Sequence, residues 1–292
     1  MTLLTYQIFQ TVAEQGSFQH AAKVLNLTPS AISHAISTAE KELGFPLFNR
    51  SKNGVTLTEY GTKLQPYISA VLNSETKLQE AIGTFNGLNQ GKIRIGTFSS
   101  FCQSFIPGLV TDFSKANPNT EITIYQGTSN DVRNWISTGQ IDLGLLPQAN
   151  GKDIPLIPLY TDELLCIAPK HFRPKHRSYI EFTELTGIPF ICHGKNTDTD
   201  ILQLLDENRI PIHPSCQVSD VPSAIAMVSA GFGLYLISKL TLQSLQLPDN
   251  TAPYPFKPSI QRTIGIYSPD MELMSPAVKA MYKHIIKSFP YQ

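Results

Sequence analysis

The apolar positions of residues 18 to 43 fall on two short helical stripes with a tight reversal between them. Ala21, Ala22 and Leu25 share one face, and Ile32, Ile36 and Leu43 share the next, at steps that suit a buried helical side. Ser17 stands where an N-cap would accept from the free amides of the first helix. Thr28 followed by Pro29 supplies an N-cap and a first-turn proline for the second. Asn26 occupies the reversal, and Asn tolerates the left-handed conformation better than most residues other than Gly. Gly44 and Pro46 predict a stop near Leu43. Small Ala21 and Ala22 allow close approach, so the pattern predicts a helix-turn-helix. The outer face of its second helix carries Ser30, Ser33, His34, Ser37 and Thr38. These groups reach phosphates or base edges, although none offers the bidentate guanidinium that reads guanine. A helix whose hydroxyls merely face water would show the same local pattern.

Two short apolar runs then flank Asn53-Gly54, a strong hairpin signal, with Arg50 and Lys52 beside the tip where they suit phosphate. Beyond Thr58, an N-cap, Leu64, Ile68, Val71, Leu78, Ile82 and Phe85 recur at steps of three, four and seven. The stripe predicts one long helix that needs a partner helix. Glu75 interrupts its seam, and Pro66 removes one hydrogen bond and should bend it. Gly83, Gly87, Asn89, Gln90 and Gly91 mark a hinge.

Downstream, β-rich runs alternate with helical ones. Lys92–Thr97, Glu121–Tyr125, Leu143–Leu146, Leu164–Ala168, Phe190–Cys192, Cys216–Val218 and Leu234–Ile237 read as strands. Phe105–Lys115, Thr128–Ser137, Asp198–Asn208 and Val221–Ala230 read as helices. This is an α/β pattern with mainly parallel sheets, long enough for two subdomains. Ligands of such sheets collect beyond the carboxyl ends of strands, where helix starts present free amides. Thr97, Ser99 and Ser100 follow the first strand, Thr128 and Ser129 the second, and Cys192, His193, Gly194 and Thr197 a later one. Helix capping alone would also explain these hydroxyls.

Phe18 to Leu27, Thr28-Pro29-Ser30-Ala31-Ile32-Ser33-His34-Ala35-Ile36, Glu40 to Gly44, Leu47-Phe48-Asn49-Arg50 and Leu57-Thr58-Glu59-Tyr60-Gly61 together resemble the winged helix-turn-helix of LysR-type transcriptional regulators. The resemblance is dense over roughly the first quarter of the chain and extends to its total length. It implies an α/β protein with an N-terminal all-α winged helix-turn-helix and a C-terminal two-lobed effector domain like a periplasmic binding protein. Residues 1–57 would bind DNA, 58–90 would form the dimerisation helix and hinge, and 91–292 the effector domain. Lobe one would take 91–161 and 267–292, and lobe two 162–266. DNA contacts would come from Pro29, Ser30, Ser33, His34 and Arg50, with Lys52 beside them on the wing. Effector contacts would come from Thr97, Ser99, Ser100, Thr128, His193 and Thr197, receiving a small anionic metabolite. The partners implied are double-stranded promoter DNA, a second copy in a homodimer or tetramer, and RNA polymerase, with no cofactor beyond the effector.

Charge changes this picture in one respect. Lys and Arg number 23 against 23 Asp and Glu, and residues 1 to 65 hold five basic side chains against four acidic ones. Affinity for DNA then has to come from local placement, helix-start amides and doubling by dimerisation. Cys102, Cys166, Cys192 and Cys216 are too scattered for a zinc site, and neither a phosphate-binding loop nor a dinucleotide fingerprint is present, so nothing supports an enzyme. His171 and His176 flank Phe172-Arg173-Pro174-Lys175, a solvated basic patch. Two alternatives stand beside the main reading. A thiol sensor of the same family would use Cys192 or Cys216. A solute-binding protein would use the second half alone, against which the missing signal sequence and the N-terminal helix-turn-helix argue. The absence of a signal sequence or spanning run predicts a cytoplasmic protein with no membrane partner.

Overall fold

The computed structural model describes residues 1–51, 54–85, 91–148, 155–193, 201, 204–206, 208–210, 212–267, 271 and 274–289. They form two compact units, one of Met1–Gly91 with Asn134–Ile141, the other of Lys92–Arg133 with Asp142–Gln292.

The first unit opens with a helix that lies before the pattern starting at residue 18. This α1, Leu3–Gln15, starts at a Thr2–Thr5 capping box and ends at Gly16, whose φ of 60° is left-handed. It buries Ile8, Phe9 and Val12, a helical spacing that was readable in the sequence. Next come α2, Phe18–Leu25, and α3, Pro29–Leu43, with the caps the sequence predicts. Ser17 Oγ accepts from the His20 amide at 3.3 Å and Thr28 Oγ1 from the Ala31 amide at 3.2 Å. Asn26 has φ 52° and Gly44 φ 80°, so both reversals use the left-handed residues expected of them. Ala21, Ala22, Ile32, Ile36 and Ala39 close the core with Leu47 and Phe48.

The wing pairs β1, Phe48–Ser51, with β2, Gly54–Leu57. Ser51 faces Gly54 in this register, so Gly54 opens the second strand. The Val55 amide donates to the Gly16 carbonyl at 2.9 Å, which ties the wing to the end of α1. Lys52, expected to contact DNA, lies outside the described residues.

Thr58 Oγ1 accepts from the Gly61 amide at 3.0 Å and caps α4, Glu59–Phe85, which continues as one helix through Pro66. Its inner face sends Ile68 and the half-buried Leu64 and Leu72 into the same core. Its outer face leaves Tyr67, Val71, Leu78 and Ile82 exposed at steps of four, seven and four.

The second unit is built on a nine-stranded sheet. In chain order the elements after α4 are β3 (Lys92–Thr97), α5 (Ser99–Ala116), β4 (Glu121–Gln126), α6 (Ser129–Ser137, counted with the first unit from Asn134), β5 (Leu143–Pro147), β6 (Leu156–Pro169), a 3-10 turn (Phe182–Leu185), β7 (Pro189–His193), β8 (His213–Val218), α7 (Val221–Ser229), β9 (Leu234–Ser238), α8 (Lys239–Leu242), β10 (Thr251–Pro255), β11 (Gln261–Tyr267) and α9 (Pro276–Ser288). Strands lie in the order β4-β3-β5-β11-β6-β9-β7-β8, with β10 paired to β6. The helix expected over 198–208 falls largely outside the described residues.

The expectation of mainly parallel sheets needs correction. β3 is parallel to β4 and β5, and β7 is parallel to β8 and β9, but every pairing of β6 and β11 is antiparallel. The reason is topological. The 14-residue β6 carries the chain out of the first half of the sheet and β11 carries it back, so the two run in opposite senses side by side. β11 lies beside β5 from Ile264 onward, while Gln261, Arg262 and Thr263 pair only with β6. Ile93, Ile95, Leu143, Leu145, Ile264 and Ile266 form one core with α5 and α9. Two further clusters, around Leu164 and Phe190 and around Ile167 and Ile191, cover the two faces of the other half.

Where β6 and β11 pair, Asp162 faces Arg262. Arg262 Nε and Nη2 both donate to Asp162 Oδ2, at 3.0 and 2.9 Å, and the Leu240 amide donates to Oδ1 at 3.1 Å. The carboxylate is fully buried and the guanidinium nearly so. The guanidinium carbon also lies 5.2 Å from the centroid of the Phe98 ring. Burying both charges is expensive, and the hydrogen bonds to each offset that cost.

Candidate nucleic-acid interface and effector site

The outward side of α3 is set by its own periodicity. Ile32, Ile36 and Ala39 turn inward, and Pro29, Ser30, His34, Ser37 and Thr38 are left in water with Ser33 half-buried at the edge. Pro29, Ser30 and His34 therefore lie exposed along the first half of α3, with Ser33 at their edge. Thr28 is spent on capping, and its Oγ1 lies 3.0 Å from Ser30 Oγ.

Arg50 is placed differently from a wing-tip cation. It folds back on α3, donating from Nη1 to Ser33 Oγ at 3.4 Å and from Nη2 to Ser37 Oγ at 3.2 Å. Its guanidinium carbon lies 4.8 Å from the Phe18 ring centroid, and Nη2 is 3.7 Å from Glu40 Oε2. A flexible cation is thus held in one pose against α3, with part of its side-chain entropy already given up. Phe18 and Glu40 were not singled out by sequence reasoning. The signal for Glu40 was an acid on α3 seven residues before Leu47, whose free amide it accepts at 2.7 Å.

In the second unit, the turns after β3 and β4 come together. The Gly127 amide donates to the Thr97 carbonyl at 3.1 Å, and Gln126 Nε2 donates to Ser99 Oγ at 2.8 Å. Thr97 is fully buried, Ser100 nearly so, and Ser99 is exposed. The Thr97 hydroxyl has no hydrogen-bond partner among the described residues. Phe98, the N-cap of α5 and the residue after Thr97, offers no side-chain cap to the first amides of that 18-residue helix. An orphan hydroxyl beside uncapped amides is a costly arrangement for a folded chain and suits a polar ligand.

Thr128 is more committed. Its amide and hydroxyl donate to Asp131 Oδ2 at 2.8 and 2.7 Å, and its Oγ1 accepts from the Asp131 amide at 3.1 Å. This is a capping box for α6, the alternative that the sequence left open. His193 closes β7, but its side chain and the whole of Thr197 lie outside the described residues.

Both units match known protein families. The profile described as "Bacterial regulatory helix-turn-helix protein, lysR family" matches residues 3–62, and the one described as "LysR substrate binding domain" matches residues 86–290. The chain belongs to the LysR family of transcriptional regulators. Among LysR-family relatives it is 29% identical over 280 residues to the uncharacterized HTH-type transcriptional regulator YvbU of Bacillus subtilis, covering 96% of each chain. It is 24% identical to the transcriptional dual regulator GltC of Bacillus subtilis, covering 99% of this chain and 98% of GltC. A full-length OxyR variant from Pseudomonas aeruginosa superposes with a TM-score of 0.77 at 20% identity, over 99% of this chain and 94% of that one. Full-length CbnR in complex with its target DNA gives 0.63 at 17% identity, over 99% and 100%. At these identities the structures establish a shared fold. The relatives' names are those of regulators, not enzymes.

A thiol sensor that pairs Cys192 with Cys216 is not favoured in this LysR-family chain. Ile191 is the partner of Cys216 and Gln217 the partner of Cys192, so the two cysteines turn to opposite faces of the sheet. Cys192 packs with the Leu164 cluster and Cys216 with the Ile167 cluster. They cannot meet as a disulfide without breaking the β7–β8 ladder. Burial pushes the Cys102 and Cys166 thiols up, away from the reactive thiolate. Among the described residues no group of three or more His, Cys, Asp and Glu is placed to hold a metal, and no helix is long and apolar enough to cross a membrane.

Proposed function

We propose that this regulator binds promoter DNA in the cytoplasm as a homodimer, or as a tetramer of two dimers, and that a small anionic metabolite tunes its grip. Pro29, Ser30, Ser33 and His34 face the bases and phosphates of the major groove, with Arg50 and Lys52 on the flanking backbone. The observation that carries this is the exposed start of α3 with Arg50 already seated against it through Ser33 and Ser37. The exposed Tyr67, Val71, Leu78 and Ile82 stripe of α4 supports pairing with a second copy, since its spacing suits a helix–helix seam. RNA polymerase is the partner met at the promoter.

Residues 91–292 take the effector between two lobes, at the uncapped start of α5, where Thr97, Ser99 and Ser100 bind it with Thr128 bordering the pocket and His193 and Thr197 closing from the other side. No cofactor beyond this effector is required. The effector acts by population shift, favouring the lobe arrangement it binds better and so changing the spacing of the paired DNA-binding domains. Selection of genomic fragments with the purified protein tests the DNA half: recurrent fragments with a two-fold related sequence are expected. Enrichment of no sequence over random DNA would overturn it. Adding the substrates and products of enzymes encoded beside those fragments then tests the effector half through a changed footprint.

A further inference from the structure

The DNA-binding unit has almost no net positive charge to offer a polyanion, with five basic against four acidic side chains over residues 1 to 65. The second unit holds the opposite feature on one loop. Between β6 and the 3-10 turn, Lys170 to Arg177 place Lys170, Arg173, Lys175 and Arg177 with His171 and His176 in eight residues, without one acid. All four cations are exposed. None of the four forms an ion pair among the described residues. The two acids that follow the loop lie against it without pairing any of the four: Glu181 is 3.1 Å from His176, and Glu184 accepts from the backbone amides of Lys175 and Glu181.

The loop is also held in shape. The Lys170 amide donates to the Asn250 carbonyl at 2.7 Å, the Phe172 amide to Pro169 at 2.9 Å and the Arg177 amide to Pro174 at 3.1 Å. Pro174 is buried, and Phe172 packs edge-on against Tyr254 with centroids 6.3 Å apart. Arg173 donates from Nη1 to the Lys170 and Phe172 carbonyls. Beyond the loop, Tyr179 stacks on His176 at 4.6 Å and carries Lys257 Nζ 5.0 Å from its ring centroid, which adds a fifth cation at the edge. Mutual repulsion among these charges opposes folding, and the backbone bonds hold the residues that carry them in place.

We propose that the Lys170–Arg177 loop is a second, sequence-independent DNA contact that grips the phosphate backbone. The occupant is duplex DNA, because the protein's own ligand is a polyanion and its helix-turn-helix lacks the net charge that supplies non-specific affinity. This inference rests on the DNA-binding reading above. It explains how a neutral chain neutralises phosphates: the charge missing from the reading domain is carried by the effector domain.

The test measures binding of the full-length protein to a random-sequence 60-base-pair duplex as a function of salt. Parent protein is compared with K170Q/R173Q/K175Q/R177Q, and with K170Q/K175Q/R177Q, which leaves the carbonyl bonds of Arg173 in place. The slope of log affinity against log salt should fall by about 0.9 for each phosphate no longer neutralised, so by roughly 3 to 4 in the fourfold variant if every side chain touches phosphate. R173K/R177K should keep the parent slope, since it keeps the charge. A parent slope retained by both Gln variants overturns the proposal, including the case in which they lose promoter activity through an acidic protein partner. A parent protein that binds no random duplex also overturns the proposal, whereas failure to enrich any genomic fragment over random DNA would overturn the DNA-binding reading itself.

Discussion

Glu40 Oε1 accepts the backbone amide of Leu47 at 2.7 Å, fastening the last turn of α3 to the residue that precedes β1. The same oxygen accepts from the Phe48 amide at 3.2 Å, and both Leu47 and Phe48 are buried. One carboxylate thus satisfies two amides that no helix or strand partner reaches. Replacing Glu40 with Ala should destabilise the first unit by about 1–3 kcal/mol, the cost of leaving buried donors unmade. Glu40→Gln, which keeps one acceptor oxygen, should recover more than half of that. Urea unfolding followed by helix signal checks both, and equal losses in the two variants would show that charge, not the acceptor, matters here.

Arg50 should be separable from the fold. Its side chain is 45% exposed, so its removal leaves little buried surface uncovered. Arg50→Ala is expected to lower DNA affinity by about tenfold, the loss of a charge-assisted phosphate contact, while shifting stability by less than about 1 kcal/mol. Arg50→Lys should recover part of the affinity only, because an ammonium cannot bond Ser33 and Ser37 together as the planar guanidinium does. Binding titrations on a selected fragment at fixed salt decide this, and an undiminished affinity in Arg50→Ala would remove Arg50 from the interface.

Much of the first unit was legible because its determinants are local. Ser17, Asn26, Thr28 and Gly44 each act within a few residues of their own position, and each adopts the cap or left-handed conformation its chemistry predicts. What the sequence hid depends on distance along the chain. Arg50 is turned onto α3 by Ser33, Ser37 and Phe18, none of them its neighbour in sequence. Asp162 and Arg262 are 100 residues apart, and only the crossing of β6 and β11 brings them face to face. The same crossing made the sheet mixed, because a return strand carries no mark of the direction in which it will run. Capping and ligand binding use the same hydroxyls, so Thr97 and Thr128 read alike until Asp131 is seen to take Thr128 and nothing among the described residues to take Thr97.

That difference predicts a trade between stability and function at Thr97. Valine has nearly the shape of threonine without its hydroxyl, so Thr97→Val removes a buried donor and acceptor left without a partner. The variant should be more stable than the parent by about 1 kcal/mol in the absence of effector, visible as a raised unfolding midpoint. It should also lose effector response at concentrations that saturate the parent. A variant that is destabilised would mean that the hydroxyl is satisfied in the folded chain.

Cys166 offers a pH prediction whose sign follows from burial. Its thiol is fully buried and pushed above the ordinary value of 9.0. In the unfolded chain the thiol loses its proton near 9, while in the folded chain it keeps it, so the unfolded state binds fewer protons above that pH. The contribution is fully present below about pH 9 and is lost as pH rises, at up to about 1.4 kcal/mol per pH unit. Cys166→Ala should therefore show a shallower decline in stability between about pH 9 and 10.5 than the parent, measured by urea unfolding at each pH. Parallel curves would show that Cys166 ionises in the folded protein.

The Asp162–Arg262 pair tests how the two crossing strands are held. Removing one charge strands the other in a site where both are buried, so Asp162→Asn and Arg262→Met should each cost about 3–5 kcal/mol. The double variant leaves no unpaired charge, although the Leu240 amide still needs the oxygen that Asn supplies. Its cost should be well below the sum, with a coupling of about 2 kcal/mol or more between the two positions. Arg262→Met also keeps an apolar partner over the Phe98 ring, which separates loss of charge from loss of packing. If the two single costs simply add, each side chain is held by its surroundings and not by the other, and the crossing depends on the β6–β11 ladder alone.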